Sequence, residues 1–189
     1  MANIREEKAS DVAGREILLD AAYGAARFAK TSERLREGRL PANGLSLVAV
    51  ERGRIVGTVR LWHITAGPAR PALLLGPLAV HIDHRNRGIG SALVRGAIAR
   101  ARLAGHRAVL LIGDAAYYGR FGFMSEQTGR LWMPGPFERH RFLGCELVLG
   151  ALDGACGLIG PTGEPVPRPN LNALIAKLAR GETVARHAA

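Results

Sequence analysis

Leu78-Ala-Val-His-Ile-Asp-His-Arg-Asn-Arg-Gly-Ile-Gly-Ser-Ala-Leu93 passes from an apolar run, through a basic turn, into a second apolar run. The first part reads as the end of a strand and the last as the start of a helix. The first N–H groups of a helix have no intrahelical acceptor, and the helix dipole makes that end electropositive. Gly88 and Gly90 let a ligand reach the backbone with no Cβ in the way. Arg85 and Arg87 add full positive charges. The stretch therefore predicts a phosphate or pyrophosphate site. It is not a P-loop, because no Gly-Lys-Ser/Thr follows. It is not a dinucleotide fingerprint either: Leu93 stands where the third glycine belongs, and the stretch does not follow the first strand.

Outward from this turn the chain falls into two halves. On the N-terminal side, residues 4–6 read as a short strand. A helix is expected from an Asp11 N-cap to Gly24, with Val12, Ile17, Leu18 and Ala21 on one face. A second short helix is expected over residues 32–37, closed by Gly38, and residues 40–44 form a loop. Residues 45–50 and 55–64, joined at Arg52-Gly53, predict a hairpin, and residues 72–80 extend it into an antiparallel meander. On the other side, residues 89–104 carry Ile89, Leu93, Val94, Ala97, Ile98 and Ala101 at helical spacing, and Gly105 ends the helix. Residues 108–112 read as a buried strand, which makes strand, helix and strand a crossover unit. A short helix over 115–120 and a last strand over 145–149 follow. From Ala151 the chain turns rich in Gly and Pro, with a final amphipathic helix expected over 171–179.

The 189 residues, 48% apolar and 22% charged, describe a globular chain able to bury a core without disulfides or metals. No apolar run approaches the roughly 20 residues of a membrane helix, and the N-terminus lacks the pattern of a signal peptide. Cys145 and Cys156 have no His or Cys partners at zinc spacing, and read as free thiols in a reducing, cytoplasmic setting. The net charge of +10 points to a polyanion. However, the Arg residues are scattered and few aromatics lie among them, so a local site for a small polyphosphate fits better than nucleic acid.

The turn resembles the acetyl-CoA motif of the Gcn5-related N-acetyltransferase (GNAT) superfamily, Gln/Arg-x-x-Gly-x-Gly/Ala, here Arg85-Asn-Arg-Gly88-Ile-Gly90. A second segment, Tyr118-Gly-Arg-Phe121-Gly-Phe123, resembles the family's Tyr-x-x-Φ-Gly-Phe ending at the expected distance. The resemblance implies an α/β (α+β) fold: a mixed, mostly antiparallel central sheet flanked by helices. It assigns residues 1–150 to an acetyltransferase domain and residues 151–189 to a C-terminal extension. It further implies acetyl-CoA as cosubstrate, no metal, and direct transfer of acetyl to an amine on a small molecule or a protein. Leu78, Ala79 and Val80 would line the pantetheine arm through their backbone. Arg85, Asn86, Arg87, Gly88, Ile89, Gly90 and Ser91 would hold the pyrophosphate. Tyr118 would protonate the departing thiolate, with neighbouring Tyr117 competing for that role.

The chain departs from the family in two places. Ile82 stands where many members have Pro. The stretch before the tyrosine is short and offers Asp114 where many have an Asn contacting the cofactor, as in a bacterial subgroup of uncharacterised members. The general base is not fixed by the family. Glu51, His63, Asp114 and His140 are the candidates by chemistry. His81 and His84 read as loop histidines, since two imidazoles do not make a zinc site. Residues 131–143, with Trp132, Phe137, Arg139, His140 and Arg141, read as an acceptor-side wall or a dimer contact, and a homodimer is the default assembly. Two other classes stay open at this point: a CoA-binding regulatory domain without turnover, and a basic nucleic-acid-binding protein.

Overall fold

The computed structural model describes residues 2–68 and 70–167. The helix expected over 171–179 lies outside the described residues. The chain begins with β1 (Asn3–Glu6) and α1 (Val12–Tyr23). Two short 3-10 turns follow, Ala25–Ala29 and Thr31–Leu35, in place of the single helix expected over residues 32–37. The meander is β2 (Ser46–Glu51), β3 (Arg54–Thr65) and β4 (Pro71–Val80). Then come α2 (Ile89–Leu103), β5 (Ala108–Ile112), α3 (Ala115–Tyr118), β6 (Leu131–Trp132) and β7 (Phe142–Glu146). β8 (Gly157–Leu158) and β9 (Gly160–Pro161) close the described chain.

The main sheet has the order β1-β2-β3-β4-β5-β7. Every neighbouring pair along it is antiparallel except β4 and β5, which the α2 crossover makes parallel. The expected apolar stripe of α2 is the buried one, from Ile89 to Ala101. It packs on Leu47, Ala49, Leu61, Leu73 and Leu111 of the sheet. Gly57 in β3 makes this close packing feasible. A Cβ there would lie 2.9 Å from Leu93 and 3.0 Å from Ile89, so the first turn of α2 rests directly on the strand. The opposite face is covered by α1, by Leu35 and by residues after β7: Leu152, Ala155 and Ile159 are buried there beside Trp62, Leu74 and Phe142. β9 pairs with Ile64 and Thr65, on the length of β3 beyond its ladder with β2.

Three local expectations are corrected. Asp11 occupies the N-cap position of α1 but does not cap it. Its carboxylate instead accepts from the Lys8 N–H at 2.7 Å and from Arg5 at 2.6 and 2.9 Å. The Arg5 hydrogen bonds hold its pKa down at about 2. Ile17 is exposed, and Arg15 takes the inward position. Arg15 can be buried because Glu7 and Glu16 both accept from its guanidinium, and Glu7 also pairs with Arg60 of β3. The strand expected as the last, over 145–149, lies at 142–146 as β7, and β8 and β9 follow it. Beyond Cys145 the chain curls, because the Leu147 and Val148 N–H groups both bond Arg107 O, and the Glu146 carboxylate accepts from the Gly150 and Leu152 N–H groups.

The Glu7–Arg15–Arg60 knot ties β1, α1 and β3 together. Removing one partner of a buried ion pair leaves an uncompensated charge and costs about 3 kcal/mol. Glu7→Gln should therefore lower Tm by roughly 10 °C, read by thermal unfolding. A shift within about 2 °C would mean that Glu16 alone neutralises Arg15.

Candidate active site

β4 and β5 form a ladder only at Leu73–Val109 and Leu74–Leu110. Beyond that point β4 continues to Val80 without β5 beside it, which leaves a wedge between the two strands. The pleat of β4 decides what faces the wedge. His81 N–H bonds Val56 O, so in the alternation Ala79 also faces β3, while Leu78 and Val80 present their backbone away from it. Tyr23, the last residue of α1, confirms that direction by donating its hydroxyl hydrogen bond to Leu78 O. Ala79 contributes no backbone group to the wedge, and its side chain is buried against Leu18 and Leu19.

After β4 the chain makes a 3-10 turn over Ile82–His84 and reaches the basic turn. Asn86 and Gly88 both have positive φ, 60° and 77°. This alternation points successive N–H groups to the same side, the geometry of an anion-binding nest. The first helical bond of α2 is Ala92 N to Gly88 O. Among the described residues, none of the six N–H groups from Asn86 to Ser91 meets a protein acceptor, and no side chain caps the helix. A Cβ at Gly88 would meet nothing within 4 Å, so the turn opens outward. The turn is braced from behind, where Glu51 takes a hydrogen bond from His84 at 2.9 Å and lies 3.5 Å from Arg87. The His81 and His84 rings meet edge-on at 5.5 Å, and no group of metal-ligating side chains exists among the described residues.

The two adjacent tyrosines separate cleanly. The Tyr117 hydroxyl lies 2.8 Å from where a Gly90 Cβ would start, over the first turn of α2. Tyr118 turns inward. Its ring covers Gly113 and meets Phe121 and Phe123 edge-on at 6.4 and 5.8 Å. Burial, with Tyr23 and Tyr117 as neighbours, pushes its pKa up, and its hydroxyl has no hydrogen-bond partner among the described residues. Asp114 is exposed and caps α3, accepting from the Ala116 N–H at 3.0 Å.

The four base candidates do not converge. Glu51 belongs to the basic turn, the His63 ring lies tilted against His106 with centroids 5.3 Å apart, and His140 is exposed beside Glu138 at 3.4 Å. Two residues that the sequence did not single out stand at the wedge instead. Tyr23 is one. The other is Arg36, whose side chain is only 6% exposed and whose Nη1 lies 3.7 Å from the position of a Gly76 Cβ. Neither carries a local sequence signal, because the fold alone brings them to β4.

A nest of free N–H groups at a helix start, beside a wedge between parallel strands, is the arrangement of a known family. Residues 14–123 match the acetyltransferase (GNAT) family. The chain belongs to this family. Its activity is that of an acyl-CoA-dependent N-acetyltransferase, and the mostly antiparallel sheet is the family's fold. GNAT relatives include the uncharacterized N-acetyltransferase YhbS of Escherichia coli, 30% identical over 162 residues, covering 82% of this chain and 93% of that protein. YjhQ of Escherichia coli, also an uncharacterized N-acetyltransferase, is 32% identical over 126 residues, with 64% and 69% covered. The crystal structure of YhbS in complex with CoA superposes with a TM-score of 0.73, covering 85% of this chain and 89% of that one. A GNAT family acetyltransferase from Brucella melitensis, in complex with acetyl-CoA, gives 0.61 at 26% identity, covering 90% and 94%.

Proposed function

We propose that this GNAT chain moves an acetyl group from acetyl-CoA to an amine in a ternary complex, with Tyr118 as the acid. The observation that carries the cofactor reading is the set of six N–H groups, Asn86 to Ser91, that have no protein acceptor among the described residues. N–H groups at a helix start that have no intrahelical acceptor make an anion site, and pyrophosphate oxygens match this many on one turn. Arg85 and Arg87 lend charge. Leu78 and Val80 offer strand-like backbone to the pantetheine arm. Leu78 O accepts from Tyr23 yet keeps a second lone pair. Ala79 enters as packing under that strand. Asp114 enters as the cap that sets α3, and through it Tyr118, rather than as a cofactor contact.

Acetyl-CoA supplies the acyl group as a thioester. The wedge holds the acceptor nitrogen beside that carbon, so that the new C–N bond forms as the C–S bond breaks. The Tyr118 hydroxyl gives its proton to the leaving sulfur, and the proton that the attacking nitrogen sheds on becoming an amide returns through water to the tyrosinate. The raised pKa keeps the hydroxyl protonated at neutral pH before the step. Residues 1–150 are assigned to the catalytic domain and 151–189 to the extension. A cytoplasmic site of action accords with the two free cysteines, Cys145 and Cys156. No helix among the described residues is long and apolar enough to cross a membrane.

Thermal unfolding with acetyl-CoA tests the reading. At 100 times Kd a native-state ligand adds about 2.7 kcal/mol, which should raise Tm by roughly 5–10 °C. Dephospho-CoA, which keeps the pyrophosphate, should give most of that rise. No shift at millimolar ligand would remove the turn as a CoA site.

A further inference from the structure

Three cations stand at the end of the wedge away from the pyrophosphate turn. β4 runs from Pro71 towards that turn, so Gly76 lies beyond Leu78 on the acceptor side. Arg36 reaches Gly76 from the second 3-10 turn. Lys30 sits 4.1 Å above the ring of Tyr23, whose hydroxyl marks Leu78 O. Arg141 accepts the Gly113 N–H on its carbonyl at 2.9 Å, which puts it next to the glycine that the Tyr118 ring covers.

These cations are incompletely neutralised. Arg36 pairs with Glu33 at 2.7 Å and Arg141 lies 3.6 Å from Glu138, an exposed side chain. Yet the Nε of Arg36 and the Nε of Arg141 are both buried and both lack an acceptor among the described residues. A buried donor without a partner costs free energy unless something else satisfies it. Lys30 shows the crowding as well: burial first, then the charges of Arg36 and Arg141, pushes its pKa down. A plain alkylammonium would meet like charge here. A molecule bringing its own anion would complete the site.

We infer, on the basis of the transfer reading above, that the acceptor is a small amine that carries an anionic oxygen group, carboxylate or phosphate, seated among Lys30, Arg36 and Arg141. The same cations then serve a second purpose: they disfavour the ammonium form of the acceptor and so ease loss of its proton before attack.

The test begins with binding, apart from turnover. Protein saturated with acetyl-CoA, its pyrophosphate turn filled, is unfolded thermally in about 10 mM inorganic phosphate or glutarate at constant ionic strength. One of the two should raise Tm by about 3 °C, and the rise should fall by half or more in Lys30→Gln and in Arg141→Gln, both of which change partly exposed side chains and keep the fold. No rise with either anion, or an equal rise in both variants, overturns the inference. Matched amines then give the kinetic arm, read as free thiol release: 4-aminobutyrate against butylamine, and O-phosphoethanolamine against ethanolamine. The anionic member of one pair should be favoured at least tenfold in kcat/KM, and which pair responds separates carboxylate from phosphate. Equal rates within both pairs, or transfer to a peptide amine alone, overturn the inference and leave the transfer reading standing. An anion-dependent Tm rise with no thiol release from any amine supports the seat and counts against the transfer reading alone.

Discussion

Gly88→Glu should yield a folded protein with no measurable affinity for acetyl-CoA. The position has two properties that a glutamate cannot share with a bound pyrophosphate. Its φ is +77°, so any side chain strains the backbone by about 1 kcal/mol. That strain alone lowers Tm by only a few degrees. The larger effect is electrostatic. A Cβ at this position meets nothing within 4 Å, and Gly88 lies within the turn whose N–H groups from Asn86 to Ser91 have no acceptor among the described residues. A carboxylate held there, at about 4 Å from one phosphate charge, opposes binding by about 4 kcal/mol at the effective dielectric of a protein surface. That corresponds to roughly a thousandfold in Kd before bulk is counted. Gly88→Ala separates the two causes, because it carries the strain without the charge and should lose no more than about tenfold in affinity. Calorimetric titration of both variants measures the difference. Binding by Gly88→Glu within tenfold of the parent would mean that the pyrophosphate lies elsewhere.

The sequence made this turn legible because its chemistry is local. A helix start needs no tertiary contact to expose its N–H groups, and two glycines and two arginines within six residues leave few other readings. The α2 stripe and the meander were legible for the same reason: period 3.6 and period 2 are written in consecutive residues. What the sequence did not disclose depends on distant partners. Arg15 is buried and Ile17 exposed because Glu7, eight residues earlier, supplies a buried carboxylate that periodicity cannot see. Asp11 has the residue type and place of a cap, yet Arg5 takes its carboxylate. Tyr23 and Arg36 reach the wedge only because α1 and the 3-10 turns fold across β4, fifty-five residues away from Tyr23 in the case of Leu78. Adjacent Tyr117 and Tyr118 are indistinguishable by composition. Their roles part because successive residues at the end of α3 point in different directions, one over Gly90 and one onto Gly113.

That division leads to the second large effect. Tyr118→Phe should lower kcat about 100-fold, the usual contribution of a positioned acid, while leaving acetyl-CoA affinity and Tm unchanged. The phenylalanine ring keeps the edge-on contacts to Phe121 and Phe123 and the cover over Gly113. The hydroxyl it removes has no hydrogen-bond partner among the described residues, so no acceptor or donor is stranded. A loss in turnover therefore reads the proton and not the packing. Tyr117→Phe is the matched comparison. It deletes a hydroxyl that stands over Gly90, beside the turn, and should change turnover less than about threefold. The pH profile adds an independent mark. Burial raises the Tyr118 pKa above its ordinary value of 10.0, so ionisation of Tyr118 contributes no basic limb to kcat at neutral or mildly alkaline pH. If Tyr118→Phe turns over at the parental rate, the thiolate leaves without help from this residue. If instead Tyr117→Phe shows the larger loss, the acid is the tyrosine over the helix start, and the wedge between β4 and β5 serves to hold the acceptor alone.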